Sequence, residues 1–114
     1  MFYRLREHWV EVNGNTQVQT LLDTLSSVGS NNEKLPTKTL VFANSVEAVD
    51  AICRILKKTH MECLCYHRDM TSEERARNLI FFEESGGILV CTDSAARGLD
   101  IHNVNHVIQV ISQQ

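Results

Sequence analysis

Short, largely apolar runs alternate with longer amphipathic stretches along this chain, and that alternation restricts the folds open to it more than any other feature. Thr39-Leu40-Val41-Phe42-Ala43, Cys63-Leu64-Cys65-Tyr66, Ile88-Leu89-Val90-Cys91 and His106-Val107-Ile108-Gln109-Val110-Ile111 carry few polar residues to turn toward water. Such runs suit strands covered on both faces, as in parallel sheets. A shorter strand is predicted at Trp9 to Val12, followed by the turn-forming Asn13-Gly14-Asn15.

The stretches between the runs have helical spacing. From Thr16, the apolar positions Val18, Leu21, Leu22, Leu25 and Val28 fall on one stripe, with Thr16 to Gln19 as a capping box and Gly29 at the far end. After the polar segment Ser30 to Pro36, a second helix is expected from Asn44 or Ser45. Asn44 and Glu47 are placed to cap it reciprocally, and Val49, Ile52, Cys53 and Leu56 form its buried stripe. A turn at His67-Arg68-Asp69 leads into a third helix, capped by Thr71 and Glu74, anchored by Leu79 and Phe82 and broken at Gly86-Gly87. Strand–helix alternation implies right-handed crossovers, a parallel sheet and helices on both faces: a three-layer α/β domain. With 114 residues there is room for one domain, spanning 1–114.

Composition narrows the functional classes. A formal net charge of −3 gives no domain-wide basic field, so any nucleic-acid contact must be local. Cys53, Cys63, Cys65 and Cys91 lie in apolar surroundings without C-x-x-C spacing and read as small core residues in a reduced setting, with zinc a remote alternative. No run reaches the roughly 18 apolar residues of a membrane span, and Met1 to Glu7 lacks an apolar signal core. The expectation is an intracellular, soluble protein with no membrane partner, its organelle left open.

In open parallel sheets, ligands bind beyond the carboxyl ends of the strands, where loops meet helix N-termini. The residues at those exits are Asn44-Ser45, His67-Arg68-Asp69 and Thr92-Asp93. Amides, small hydroxyls and a guanidinium on one edge suit a phosphate-bearing chain. Taken singly, Asn44, Ser45, Thr71 and Thr92 are better read as helix caps and turn formers; their convergence is what favours a ligand site.

Thr92-Asp93-Ser94-Ala95-Ala96-Arg97-Gly98-Leu99-Asp100 carries the most specific signal. T-D-x-x-A-R-G-x-D after an apolar strand resembles motif V of the DEAD-box RNA helicases, and Leu40 to Ser45 resembles their motif IV. Tyr66-His67-Arg68-Asp69-Met70 with Glu74-Arg75 resembles the segment that this family often writes as L-H-G-D-M followed by Q-x-x-R. The resemblance runs through most of the chain and implies the second RecA-like (P-loop NTPase-type) domain of such a helicase, which binds RNA backbone and completes an interdomain ATP site. It assigns Asn44, Ser45, Arg68, Asp69 and Thr92 to RNA, Arg75 to bracing that surface, and Arg97, Gly98 and Asp100 to the ATP side. On residue type alone, Arg75 would be a solvated helical arginine, and Arg97 with Asp100 a structural ion pair.

The chain departs from the family pattern at named positions. Arg68 stands where glycine is usual, Ser72 where glutamine is usual, and Glu83 where arginine is common; the resemblance lapses after Gln109. No H-R-x-G-R-x-x-R segment, G-x-x-x-x-G-K-[ST] loop or D-E-A-D run is present. The domain is therefore read as partial, lacking the arginine finger whose loss costs on the order of 10³ to 10⁵ in rate. ATP and Mg²⁺ are expected only in a two-domain protein, with RNA and an N-terminal RecA-like domain as partners and no catalytic residue in this chain. An uncovered sheet edge at such an ending leads to an expectation of marginal stability or association. The alternatives are an inactive RNA- or partner-binding fragment and an unrelated α/β module for a nucleotide or metabolite.

Overall fold

The computed structural model describes residues 6–12, 22–23, 37–99, 101 and 104–112. Among these residues five strands lie in one sheet: β1 (Arg6–Val12), β2 (Lys38–Ala43), β3 (Cys63–Tyr66), β4 (Gly87–Thr92) and β5 (His106–Ser112). Helix α1 (Val46–Lys58) joins β2 to β3, α2 (Ser72–Ser85) joins β3 to β4, and the short α3 (Asp93–Ala96) follows β4. The strand order is β1-β5-β2-β4-β3, and every pairing is parallel. β2 is the central strand, as its apolar run requires. The predicted Asn13–Asn15 turn lies outside the described residues, as does most of the predicted Thr16–Gly29 helix; its Leu22 and Asp23 are helical.

Strand order and crossover hand together decide which face each helix covers. The chain moves one way along the sheet from β2 over β4 to β3, then back from β3 to β4 and over β2 to β5. Right-handed crossovers running in opposite directions put their helices on opposite faces. Accordingly, Val49, Ile52, Cys53 and Leu56 of α1 pack with Val41, Ala43, Val90, Ile108 and Val110 in one core. Phe82 of α2, with Ile101 and Val104 of the connection to β5, packs with Leu40, Leu89 and Cys91 in the other. Alternate residues of the same strands serve the two cores, which is why the runs had to be apolar throughout.

Local chemistry sets the helix ends. Ser45 caps α1, its Oγ accepting from Ala48 N–H at 3.1 Å. The reciprocal Asn44–Glu47 cap expected from sequence is replaced by this bond, since Ser45 holds the extended backbone of the cap position and Asn44 stays exposed. The predicted capping box of α2 is present. Thr71 Oγ1 accepts from Glu74 N–H at 3.1 Å, and Glu74 Oε1 accepts from Thr71 N–H at 3.3 Å. The pair of glycines ends α2 with φ values of 74° at Gly86 and 105° at Gly87, a region costly for other residues.

The cysteine expectation needs correction. Cys53 and Cys91 are buried core residues as expected, but Cys53 of α1 is joined to Cys65 of β3 as a disulfide, with their Cα atoms 6.8 Å apart. The 12-residue separation gave no spacing signal; only the crossing of α1 over β3 brings the two together. Cys63 and Cys91 remain free thiols. Glu83, which departs from the family pattern, has a structural partner in Lys38, whose Nζ lies 3.4 Å from Glu83 Oε2 across the start of β2.

Candidate nucleic-acid interface

Strand register gathers the predicted site. Ala43, the last residue of β2, pairs with Thr92, the last residue of β4, while Tyr66 at the end of β3 pairs with Cys91. Asn44-Ser45, His67 to Asp69 and Thr92 therefore leave three adjacent strands at nearly one level. Strands about 4.8 Å apart put those three exits within about 10 Å along one rim.

At the β2 exit, Asn44 is exposed and Ser45 is half-buried in its cap. At the β3 exit, Arg68 and Asp69 form the tip of a turn closed by Met70 N–H donating to His67 C=O at 3.2 Å. Both tip side chains are open to solvent, and Arg68 Nε lies 3.8 Å from Asp69 Oδ1, a pairing water screens heavily. At the β4 exit, Thr92 is 6% exposed, and its Oγ1 accepts from Ala95 N–H at 3.2 Å. The hydroxyls of Ser45 and Thr92 are thus helix caps, and the Thr92 hydroxyl also lies 3.4 Å from Ser94 Oγ, where either can donate.

Arg75 is partly buried on α2, its backbone N–H donating to Thr71 C=O at 3.0 Å. Arg97 is exposed and closes the last turn of α3 through N–H to Asp93 C=O at 3.3 Å. Gly98 has φ 87°, and a Cβ there would meet nothing within 4 Å, so within this chain its backbone angle, not crowding, asks for glycine. Asp100 lies outside the described residues, and with it the alternative Arg97–Asp100 ion pair.

Behind the rim, Asp50 and Asn78 escaped the sequence reading, which took His67 only as part of the turn after β3. His67 is buried, with Nε2 3.0 Å from Asp50 Oδ1 on α1 and Nδ1 accepting from Asp69 N–H at 3.2 Å. Asn78 of α2 donates from Nδ2 to Cys65 C=O at 2.8 Å, tying α2 to the end of β3. The His67–Asp50 and Asn78–Cys65 contacts join residues 17 and 13 apart, separations with no periodic signature. Glu74 has its carboxyl held below the usual range, chiefly by the Thr71 hydroxyl and then by the Thr71 backbone N–H. Burial pushes the Cys91 thiol up to about 12, with the negative charge of Asp93 adding to the shift. A cavity of about 480 Å³ opens at the opposite ends of the strands, bordered by Met61, Cys63, Phe81 and Gly87. It takes no part in the rim.

A parallel RecA-like sheet whose strand exits share one polar rim defines the class of protein. The chain belongs to the helicase conserved C-terminal domain family, whose model matches residues 16–113. It is 51% identical over 111 residues to DEAD-box ATP-dependent RNA helicase 22 of Oryza sativa subsp. japonica, a match covering 93% of the chain and 19% of that protein. With the Arabidopsis thaliana protein of the same name it shares 48% over 106 residues, covering 93% of the chain and 18% of that protein. The chain thus spans about a fifth of the length of these relatives. In fold it is similar to a solved structure described as Mss116p DEAD-box helicase domain 2 bound to an RNA duplex. The TM-score is 0.65 at 22% identity, covering 94% of the chain and 54% of that structure. No helix among the described residues is long and apolar enough to cross a membrane.

Proposed function

We propose that this chain is the RNA-gripping half of an ATP-dependent RNA helicase, and that Asn44, Ser45, Arg68, Asp69 and Thr92 contact the RNA sugar-phosphate backbone. The observation that carries the reading is the register of β2, β3 and β4, which sets three polar loops at one level along one rim. Arg68 supplies the strongest group, a guanidinium whose side chain is 82% exposed and free to reach phosphate. Ser45 and Thr92 donate hydroxyl protons, and Asn44 offers an amide. Asp69 suits a ribose hydroxyl, since a carboxylate accepts and does not donate. Arg75 braces the surface from α2. Such contacts fix the strand and its register without reading its sequence. Similarity to helicases that are ATP-dependent by name, and to a domain solved on an RNA duplex, supports the reading.

Arg97, Gly98 and Asp100 belong to the ATP side of the same loop. ATP with Mg²⁺, held mainly by an N-terminal RecA-like domain, supplies the free energy of phosphoryl transfer to the two-domain protein. The residues here orient and bridge, and none is assigned a catalytic role. Since one segment, Thr92 to Asp100, serves both ligands, closure of the two domains couples RNA binding to ATP binding, and bending of the gripped strand separates a short duplex.

RNA-stimulated ATP hydrolysis by the two-domain protein tests this. Arg68→Ala and Thr92→Ala are each expected to raise the KM for RNA at least fivefold, with the KM for ATP in the absence of RNA unchanged. Equal RNA affinity in both variants and the parent overturns it. Catalytic silence of the isolated chain, measured as phosphate release over hours with saturating RNA, is the second expectation.

A further inference from the structure

His67 stands at a junction that the RNA reading does not use. Its ring is buried between α1 and the turn at the β3 exit, and both ring nitrogens are engaged. Nδ1 accepts from the backbone N–H of Asp69, so it must present its lone pair. The ring proton then sits on Nε2, facing Asp50 Oδ1 at 3.0 Å. Met70 N–H donates to the backbone C=O of the same residue. His67 therefore holds the turn twice, at Asp69 by its side chain and at Met70 by its main chain, and ties it once to α1.

Asp50 lies one and a half turns into the helix that Ser45 caps, a helix buried along Val49, Ile52, Cys53 and Leu56. The turn that bears Arg68 is thus referred to a rigid element. Arg68 itself has no buried contact that could fix its direction, because its side chain is 82% exposed. Glu74 of α2 and Lys57 of α1 border the same cavity of about 350 Å³ as His67 and Asp50, while the ring's own hydrogen bonds go to Asp50 and Asp69.

We propose that His67 is a positioning residue for RNA binding: as the Nε2–H tautomer, it locks the Arg68–Asp69 turn to α1 through Asp50 and so presets the angle at which the turn meets the phosphate chain. The inference rests on the RNA reading above. Preorganisation of this kind lowers the ordering cost of binding, so its loss shows in RNA affinity and leaves turnover at saturating RNA intact.

The experiment uses the two-domain protein. His67→Gln retains a donor near the Nε2 position and loses the acceptor for Asp69. His67→Asn keeps an acceptor near Nδ1 and cannot reach Asp50. Each is expected to raise the KM for RNA about fivefold to tenfold, the weight of one lost hydrogen bond, with kcat and the RNA-free KM for ATP within twofold of the parent. Asp50→Ala should do the same, while Asp50→Asn, which keeps an Oδ1 acceptor, rescues affinity. In ¹⁵N NMR, His67 Nδ1 should show the shift of an unprotonated ring nitrogen. A protonated Nδ1, or RNA affinity unmoved in His67→Asn, His67→Gln and Asp50→Ala while Arg68→Ala loses it, overturns the positioning role alone. Affinity unmoved in Arg68→Ala and Thr92→Ala removes the RNA reading beneath it.

Discussion

Ala43 of β2 and Thr92 of β4 are direct register partners, so the helices opened by Ser45 and Thr92 begin side by side. Each opening residue turns its hydroxyl onto a backbone N–H three positions ahead, at 3.1 Å for Ser45 and 3.2 Å for Thr92. Each side chain thereby caps the start of its helix at the carboxyl end of its strand.

Loss of these caps has a separable cost. Ser45→Ala should destabilise the domain by about 1 kcal/mol, the usual weight of a lost N-cap, seen as a lower urea midpoint with unchanged slope. Ser45→Asp keeps the cap and should keep the stability, yet weaken RNA binding through repulsion from phosphate. That split distinguishes the structural from the ligand-facing duty of the position.

The α2 capping box carries a pH dependence. Hydrogen bonds from Thr71 hold the Glu74 carboxyl below its ordinary 4.5 in the folded chain. A group depressed on folding stabilises above its unfolded value, and that contribution disappears as pH falls through the folded value. Stability in acid should therefore decline through a window beginning near 4.5 and extending below it. Thr71→Val, which removes the hydroxyl, should narrow that window in denaturant titrations run from pH 6 to 3.

Thiol reactivity should be strongly graded. With its thiol pushed up to about 12 inside the core, Cys91 should resist iodoacetamide at pH 8 in the folded protein. Burial raises the half-buried Cys63 thiol too, with Lys57 opposing, and this thiol should alkylate first, although slowly. Cys53 and Cys65 should appear as one linked peptide under non-reducing digestion and label only after reduction. Mass spectrometry before and after unfolding reads all four.

Two side chains carry the two cores. Leu56 on the α1 face and Phe82 on the α2 face are both fully buried. Leu56→Ala should cost about 2–5 kcal/mol and Phe82→Ala about 3–5 kcal/mol. For a domain stable by about 5–15 kcal/mol, either loss should shift the melting temperature by many degrees. By contrast His60, which ends α1 at φ 63° on the surface, should gain about 0.5–1 kcal/mol as His60→Gly.

The parts legible in sequence were those set by neighbours along the chain. Strands β2 to β5 followed from apolar runs, and α2 from Thr71, Glu74 and Gly86, because propensity and capping act within a few residues, whereas β1 begins at Arg6, ahead of the predicted Trp9. The start of α1 was narrowed to Asn44 or Ser45, since both are good caps and only the extended backbone of Ser45 chose between them. Thr92 to Asp100 stood out through its resemblance to motif V of the DEAD-box helicases. His67 and Asp50 did not, since each is an ordinary residue until α1 crosses over β3.

Sequence by itself determined that apolar strands would alternate with amphipathic helices and that polar residues would follow each strand, since both depend on periodicity and local hydrogen bonding. Tertiary structure decided the strand order, the Cys53–Cys65 link, the Lys38–Glu83 pair and the His67 junction. Those arise from burial shared between distant segments, where packing of two apolar faces against one sheet, not any local preference, sets which side chains meet.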